Sequence, residues 1–142
     1  MNIYKLEKIT PNVIQAFKRL IPQLSESCSL PKDKYLLEII NSECTDIFVV
    51  EEKNKIVGTL SLVFNKIPTG NKVWIEDVVV DKAARGRGVG KELILFAKKY
   101  VKDKNLTSMN LTSSPEREAA NVLYQKLGFF KRKTNVYKIQ LE

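Results

Sequence analysis

The fold is decided by a stretch that reads Val73-Trp74-Ile75-Glu76-Asp77-Val78-Val79-Val80 and continues as Asp81-Lys82-Ala83-Ala84-Arg85-Gly86-Arg87-Gly88-Val89-Gly90. Its first half is rich in β-branched residues, which predicts a strand covered on both faces. Its second half is a turn in which glycine lets the backbone approach a ligand closely. A helix is predicted to begin near Val89, with its free N–H groups facing the turn. Such a helix start predicts an anion site that suits a pyrophosphate.

Two other phosphate-binding motifs do not fit this turn. Gly86 and Gly88 have the spacing of a dinucleotide motif, but Lys91 stands where the third glycine is needed. The P-loop also fails, because no Gly-Lys-Ser/Thr follows at the required distance. From the turn alone, an ordinary basic connection without a ligand stays open as the alternative.

The composition predicts one domain over residues 1–142, and 44% hydrophobic residues are enough for a core. No run is long enough to cross a bilayer, so we expect no membrane association. The N-terminal residues do not resemble a signal peptide. Cys28 and Cys44 lack metal or disulfide spacing, which leads us to expect a reducing cytoplasm.

Histidine is absent, which excludes Ser-His-Asp and Cys-His catalysis and His-based metal sites. We expect no metal, and acid–base chemistry must then use Glu, Asp, Tyr, Lys, Cys or water. The net charge of +8 fits a lysine-rich solvated surface, an anionic cofactor, an acidic substrate or nucleic acid. No nucleic-acid-binding motif is visible, so a nucleic-acid partner is not expected.

The chain as a whole reads as strands and helices in the order β-α-α-β-β-β-α-β-α-β-β. Strands are predicted over residues 3–9, 46–51, 56–65, 73–80, 108–113, 129–133 and 135–141. Helices are predicted from Thr10-Pro11 to about Pro22, over 31–40, from Val89 to about Lys104, and over 116–127, with Gly128 as the residue that ends the last helix. Residues 52–55 form a predicted hairpin turn, 66–72 a loop, and Gly58 a bulge or close contact. A mixed sheet with helices on both faces follows from layer packing.

Two motifs resemble the GNAT superfamily of N-acetyltransferases. Arg85-x-x-Gly88-x-Gly90 after a strand resembles its acyl-CoA loop, and Tyr124-Gln125-Lys126-Leu127-Gly128-Phe129 resembles its Tyr-x-Lys-x-Gly-Phe signature. The order of elements is similar over essentially the whole chain. The resemblance implies a single-domain α/β fold with a splayed mixed sheet. It also implies transfer of acetyl from acetyl-CoA to a primary amine of a small molecule or peptide.

The resemblance further implies which residues bind acetyl-CoA. Backbone N–H groups of Val78, Val79 and Val80 would hold the pantetheine and the acetyl oxygen. The pyrophosphate would be held by the Arg85 side chain and by the amides of Gly86, Arg87, Gly88, Val89, Gly90 and Lys91. Ser113, Asn121, Tyr124 and Lys126 complete the implied cofactor contacts.

Tyr124 and Glu76 are the predicted catalytic residues. Tyr124 would protonate the leaving thiolate as general acid; the alternative is a core tyrosine whose hydroxyl bonds to a backbone carbonyl. The amine starts mostly protonated, so Glu76, Asp77 or water must accept a proton. Because Glu76 and Asp77 are adjacent in a strand, they are predicted to face opposite sides, and Glu76 is preferred.

Several positions leave the substrate and the partners open. The segment Glu76–Val80 also resembles glucosamine-6-phosphate N-acetyltransferases, but Trp74 stands where those enzymes have His. Arg117 replaces an Asn of many members and is either a phosphate partner or a solvated charge. An amino-sugar phosphate N-acetyltransferase and a non-catalytic acyl-CoA-binding or regulatory module are the alternatives. The acceptor pocket is expected from the first two helices, residues 66–72 and the last strands, whose edge could also form a homodimer.

Overall fold

A four-stranded antiparallel sheet lies at the centre of the computed structural model, which describes residues 1–142. The strands pair in the order β1-β2-β3-β4 and span Asn2–Lys5, Thr45–Glu52, Lys55–Ile67 and Gly70–Val80. The helices are α1 Pro11–Leu24, α2 Asp33–Ile40, α3 Val89–Asp103 and α4 Glu118–Lys126. A 3-10 turn, Lys82–Ala84, precedes α3. The chain divides into two compact units, 1–112 with the sheet and 113–142 with α4.

Helices cover both faces of the sheet, as predicted. Ile47 and Val49 of β2 join one core with buried residues of α1 and α2. Phe48 points to the opposite face, since side chains alternate along a strand. The centroid of its ring lies 5.3 Å from that of Phe96 and 4.8 Å from that of Tyr100, both in α3. None of the helices is long and apolar enough to span a bilayer.

The two hairpin turns differ in how well they were predicted. Lys53 and Asn54 have φ of +50° and +63°, which is the backbone of a tight two-residue turn between β2 and β3. The predicted loop over 66–72 is wrong. Ile67 pairs with Gly70, so the strands continue almost to the tip and leave two residues to turn. Polar residues there pair as strand because exposed hairpin ends need no apolar pattern.

Local signals at single residues are mostly confirmed. Thr10 caps α1, where its Oγ1 accepts a hydrogen bond from the Val13 N–H at 3.3 Å. A Cβ on Gly58 would lie 3.2 Å from the Val79 carbonyl oxygen and 3.3 Å from Val89 Cγ1, so the predicted close contact is confirmed. In α2, Leu36 is buried, whereas Leu37 beside it is 47% exposed.

The last three predicted strands are wrong as regular elements. Residues 108–113 contribute only one parallel bridge, between Trp74 and Asn110. Residues 129–133 and 135–141 form no strand, and Phe130 and Tyr137 are 84% and 86% exposed. A strand exists only where a neighbour takes its hydrogen bonds. The side-chain pattern cannot say whether the chain itself provides that neighbour.

Within residues 113–142, the end of α4 is closed by a Schellman cap. Gly128 has φ +96°, and its N–H donates to the Gln125 carbonyl at 3.1 Å. The Phe129 N–H donates to the Tyr124 carbonyl at 3.0 Å. The centroids of the Tyr124 and Phe129 rings lie 5.9 Å apart in an edge contact. The predicted role of Gly128 is confirmed, and the Gly-Phe pair of the signature thereby fixes the tyrosine ring.

Candidate active site

A β-bulge interrupts β4 at the predicted acid–base pair. Glu76 and Val79 pair with residues 61 and 59 of β3, so Asp77 and Val78 together oppose a single residue. Asp77 has φ +51°, a left-handed conformation that aspartate adopts more readily than branched residues. The alternation that predicted opposite faces for Glu76 and Asp77 therefore breaks at this point. The sequence gives no sign of the extra residue, because bulges depend on the partner strand.

The two carboxylates at the bulge have different surroundings. Partial burial raises the pKa of Glu76, and the negative charge of Asp77 raises it further. Asp77, rather than Glu76, lines the cavity described below. A carboxylate with a raised pKa accepts a proton from an ammonium group more readily than an ordinary one does.

The outer edge of β4 is open beyond the bulge. The Ile75 N–H donates to the Asn110 carbonyl at 2.8 Å, and the Asn110 N–H donates to the Val73 carbonyl at 2.9 Å. No further bridge follows along this edge, so no strand covers Val78–Val80 there. Since the Val79 side chain is buried, this residue can offer a ligand only its backbone.

The turn after β4 leads into an uncapped helix start. Gly86 and Gly88 have φ of +79° and +81°, which favours glycine, and the space beside each is open. Gly88 is the N-cap of α3 and offers no capping side chain. The first N–H groups of α3, at Val89, Gly90 and Lys91, therefore have no helical partner. This backbone can bind an anion, while the Val89 side chain stays in the core.

Two arginines flank the turn and are not equally available. The Arg85 Nε donates to the Val80 carbonyl at 3.1 Å, and its terminal nitrogens have no carboxylate partner. The Arg87 Nη2 lies 3.0 Å from Glu52 Oε2, so its charge is already paired. Arg85 is thus the better placed of the two to bind an anion.

A buried ion pair that the sequence did not reveal holds the turn in place. The Asp81 carboxylate accepts hydrogen bonds from Arg19 Nε at 2.9 Å and from the Ala83 N–H at 3.1 Å. Burial alone would raise the pKa of Asp81, but the hydrogen bonds from Ala83, Arg19 and Gln23 lower it overall. Arg19 also donates to the Ile56 carbonyl. The pair joins α1 to the end of β4 across 62 residues of sequence, and no local pattern marks it.

In the unit 113–142, Tyr124 is the buried member of the predicted site. It is 8% exposed, and its hydroxyl makes no hydrogen bond within the chain. The alternative of a hydroxyl bonded to a backbone carbonyl is therefore not seen. Burial raises the pKa of Tyr124, and the charge of Arg117 opposes that rise. The phenol is protonated at neutral pH and can donate a proton.

The other predicted residues of this unit differ in what they can offer a ligand. The Ser113 Oγ is buried and has no hydrogen-bond partner. The Asn121 Nδ2 already donates to the Ser114 carbonyl at 3.0 Å, so its amide helps to hold the loop before α4. Lys126 is exposed in the last turn of α4, and Arg117 is the N-cap residue. The Ser113 hydroxyl is thus the buried polar group of this unit that lacks a hydrogen-bond partner.

A cavity of about 500 Å³ lies between α1, α2 and the sheet, all within residues 1–112. Its wall is mainly apolar, with Phe17 and Leu24 from α1 and Ile39 from α2. Its charged residues are Asp77 and Lys32. The first two helices line this cavity, and residues 66–72 do not.

The fold and the turn together define an α/β protein in which an uncapped helix start follows an open strand edge. A sequence profile of the acetyltransferase (GNAT) family matches residues 13–129, and the chain belongs to this family. The resemblance of the two motifs and the predicted α/β fold class are thereby confirmed.

Individual relatives agree with this assignment. The glucosamine 6-phosphate N-acetyltransferase of Trypanosoma brucei brucei is 38% identical over 88 residues, which cover 60% of this chain and 58% of that protein. The chain thus spans little more than half the length of this curated relative. The crystal structure of glucosamine-6-phosphate N-acetyltransferase from Arabidopsis thaliana has a TM-score of 0.76 at 28% identity, covering 97% of each chain. An aminoglycoside acetyltransferase from an uncultured soil sample, in complex with trehalose, has a TM-score of 0.85 at 20% identity, covering 99% and 96%, and shows the same fold.

Proposed function

We propose that this protein is an acetyl-CoA-dependent N-acetyltransferase that acts on a primary amine. The observation that carries the proposal is the open edge of Val78–Val80 followed by a glycine turn into the uncapped start of α3. Family membership and relatives named as N-acetyltransferases support it. Two unpaired cysteines, Cys28 and Cys44, support a reducing compartment such as the cytoplasm.

The residues present fit an acyl-CoA, which supplies the acetyl group as a reactive thioester. The free N–H groups at the start of α3 and the Arg85 side chain hold the pyrophosphate. The open space at Gly86 and Gly88 lets phosphate oxygens approach the backbone. The unpartnered Ser113 hydroxyl takes a polar group of the pantetheine arm. Asn121 and Lys126 complete the contacts.

The proposed chemistry divides among four groups. Asp77 binds the ammonium form of the acceptor, and Glu76, with its raised pKa, takes the proton. Backbone N–H groups of Val78 and Val80, which face the open edge, stabilise the negative charge that develops on the acetyl oxygen during attack. Tyr124 protonates the thiolate as the C–S bond breaks, and the second proton, which the nitrogen loses as the amide forms, restores the phenol.

Calorimetric titration with acetyl-CoA tests the cofactor, with desulfo-CoA and ATP as reference ligands. We expect micromolar binding that Arg85→Ala weakens by about tenfold, since it loses one charge-assisted contact. Arg87→Ala is the matched comparison and should weaken binding less, because Glu52 already pairs this charge. A folded protein that does not bind acetyl-CoA would contradict the proposal.

Turnover separates an enzyme from a binding module. Release of free thiol from acetyl-CoA in the presence of a set of primary amines would establish transfer. Tight binding of acetyl-CoA with no thiol release for any amine would instead support the non-catalytic module. Glucosamine 6-phosphate belongs in the set, because it is the substrate named for the similar trypanosomal enzyme.

We also propose that the chain forms a homodimer through residues 129–142. Five large apolar residues there are 75% to 86% exposed: Phe130, Val136, Tyr137, Ile139 and Leu141. Tyr137, Ile139 and Leu141 alternate, as they would on one face of a strand. At roughly 150 Å² each, five side chains give about 750 Å² per copy, close to the roughly 800 Å² per partner of a standard interface.

Analytical ultracentrifugation tests the homodimer. The unaltered chain should sediment as a dimer at micromolar concentration. The double variant Tyr137→Asp with Ile139→Asp should sediment as a folded monomer, because it places charges on the apolar face. If the unaltered chain sediments as a monomer at every concentration, the homodimer proposal is refuted.

A further inference from the structure

We propose that the cavity between α1, α2 and the sheet binds the apolar body of the acceptor amine, with the Asp77 carboxylate as partner of its ammonium group. The acceptor is then an alkyl or arylalkyl primary amine rather than a phosphorylated sugar. This inference rests on the acetyltransferase activity proposed above and specifies its substrate class.

The wall of the cavity is unsuited to a sugar. Much of it consists of hydrocarbon side chains from both helices, among them Phe17, Leu24 and Ile39. The Thr59 hydroxyl, one of its polar groups, already donates to the Phe48 carbonyl at 3.0 Å. A sugar ring would bury several hydroxyl groups against this wall, where Ser29, Ser61 and Tyr35 are the other hydroxyl-bearing side chains, and each hydroxyl left unpaired costs free energy. An alkyl or aromatic group meets no such cost.

The charged residues of the cavity also favour an amine over a sugar phosphate. Asp77 is the acidic residue in its wall, and Lys32 the basic one. A phosphate needs several cationic or N–H donors, and the single exposed lysine does not provide them. An ammonium group needs one carboxylate, and Asp77 provides it.

The bulge places this carboxylate beside the reactive edge of the sheet. Asp77 is the residue in the left-handed conformation, and Val78 follows it directly on the open edge of β4. An amine bound at Asp77 therefore lies next to the backbone proposed to hold the acetyl group. Positive φ at a non-glycine residue is strained, and such strain is concentrated at functional sites.

Exposed apolar side chains at the cavity add an independent observation. Tyr35 is 57% exposed and Leu30 is 49% exposed, and both line it. Apolar surface of this kind, continuous with a concave wall, is what a hydrophobic ligand covers.

The first test compares acceptors at saturating acetyl-CoA by thiol release. We expect kcat/KM for 2-phenylethylamine to exceed that for glucosamine 6-phosphate by at least about tenfold. Equal or higher kcat/KM for the sugar phosphate would overturn the inference while leaving the acetyltransferase proposal intact.

Tyr35→Ala tests the wall itself. Loss of the aromatic surface should raise KM for 2-phenylethylamine by about tenfold and leave the acetyl-CoA dissociation constant unchanged. Leu37→Ala is the matched control on the same helix, since Leu37 is 47% exposed and does not line the cavity. Equal KM values in the two variants would contradict the placement of the amine.

A third measurement does not depend on catalysis. Cys28 lines the cavity, and Cys44 does not, so alkylation by iodoacetamide in a Cys44→Ser variant reports on the cavity alone. Bound 2-phenylethylamine should slow the alkylation of Cys28, and glucosamine 6-phosphate should not. In Cys28→Ser, alkylation of Cys44 should be insensitive to either amine. Protection of Cys28 without acetyl transfer would support amine binding in the cavity and contradict the acetyltransferase proposal. Acetyl transfer without protection of Cys28 would support the acetyltransferase proposal and contradict amine binding in the cavity.

Discussion

The proposed donor side, residues 78–91, and the proposed acceptor cavity differ in which parts of the chain face the ligand. The donor side is continuous in sequence and offers a ligand mainly backbone N–H groups from a strand edge and a helix start. The acceptor cavity is lined by side chains from two helices, their connection and three strands. A site made of backbone needs a particular chain geometry, so it leaves glycines at fixed spacing. A site made of side chains can change one residue at a time.

Removing Asp81 should produce the largest effect, because it detaches the donor side from α1. We expect Asp81→Asn to lower the free energy of unfolding by about 3 kcal/mol, since Arg19 loses its buried partner. Denaturant unfolding measures this. The control is Asp103→Asn, which breaks the exposed Lys99–Asp103 pair and should cost no more than about 0.5 kcal/mol.

The pH dependence of the free energy of unfolding is a second test of Asp81. The pKa of Asp81 is lowered on folding, so its stabilising contribution is complete above the unfolded value of about 3.9 and is lost as pH falls through the folded value. The unaltered protein should therefore lose stability more steeply in acid than Asp81→Asn. Parallel curves would show that Asp81 does not anchor the turn.

Tyr124→Phe tests whether release of the CoA thiolate needs a side chain as proton donor. The ring and its contact with Phe129 are kept, and only the proton donor is lost. We expect kcat to fall by about 100-fold while acetyl-CoA binding is retained. Rates equal to those of the unaltered enzyme would assign catalysis on this side to the backbone alone.

Gly88→Val tests the backbone part directly. A branched residue is strained at φ +81°, so the turn must shift and acetyl-CoA affinity should fall by about tenfold. Gly70→Val is the control, because Gly70 also has a positive φ but lies at the β3–β4 turn. Calorimetry should show normal affinity in the control. Equal losses in both would mean that only stability had changed.

The smallest expected effect is a shift in the pH profile of kcat. It concerns Glu76 and Asp77, which lie between residues 78–91 and the cavity. The raised pKa of Glu76 should place the acidic limb of kcat above the range of an ordinary glutamate, with activity lost as pH falls. Asp77→Asn removes the neighbouring negative charge, so the limb should move to lower pH. A limb that stays in place would exclude Glu76 as the proton acceptor.

Sequence reasoning predicted the glycine turn and the start of α3 at Val89 because their signals are local. The glycines of the turn, the Thr10 cap and the Gly128 cap each reflect a backbone requirement of a few neighbouring residues. It missed the Arg19–Asp81 pair and the bulge at Asp77, since both depend on partners far along the chain. It also predicted strands over 129–133 and 135–141 from their alternation alone. Their hydrogen-bond partners are not supplied by this chain, and no local pattern reports that.

The bulge at Asp77 gives β4 an unusual sensitivity to insertions and deletions. Two residues of β4 stand opposite one residue of β3, so the halves of the strand keep separate registers. A substitution in either half leaves the other half in place. Deleting one residue here would instead restore a continuous ladder, with Val79 still opposite Thr59, and would abolish the bulge. A single codon therefore separates a strand that carries the bulge from one that is regular.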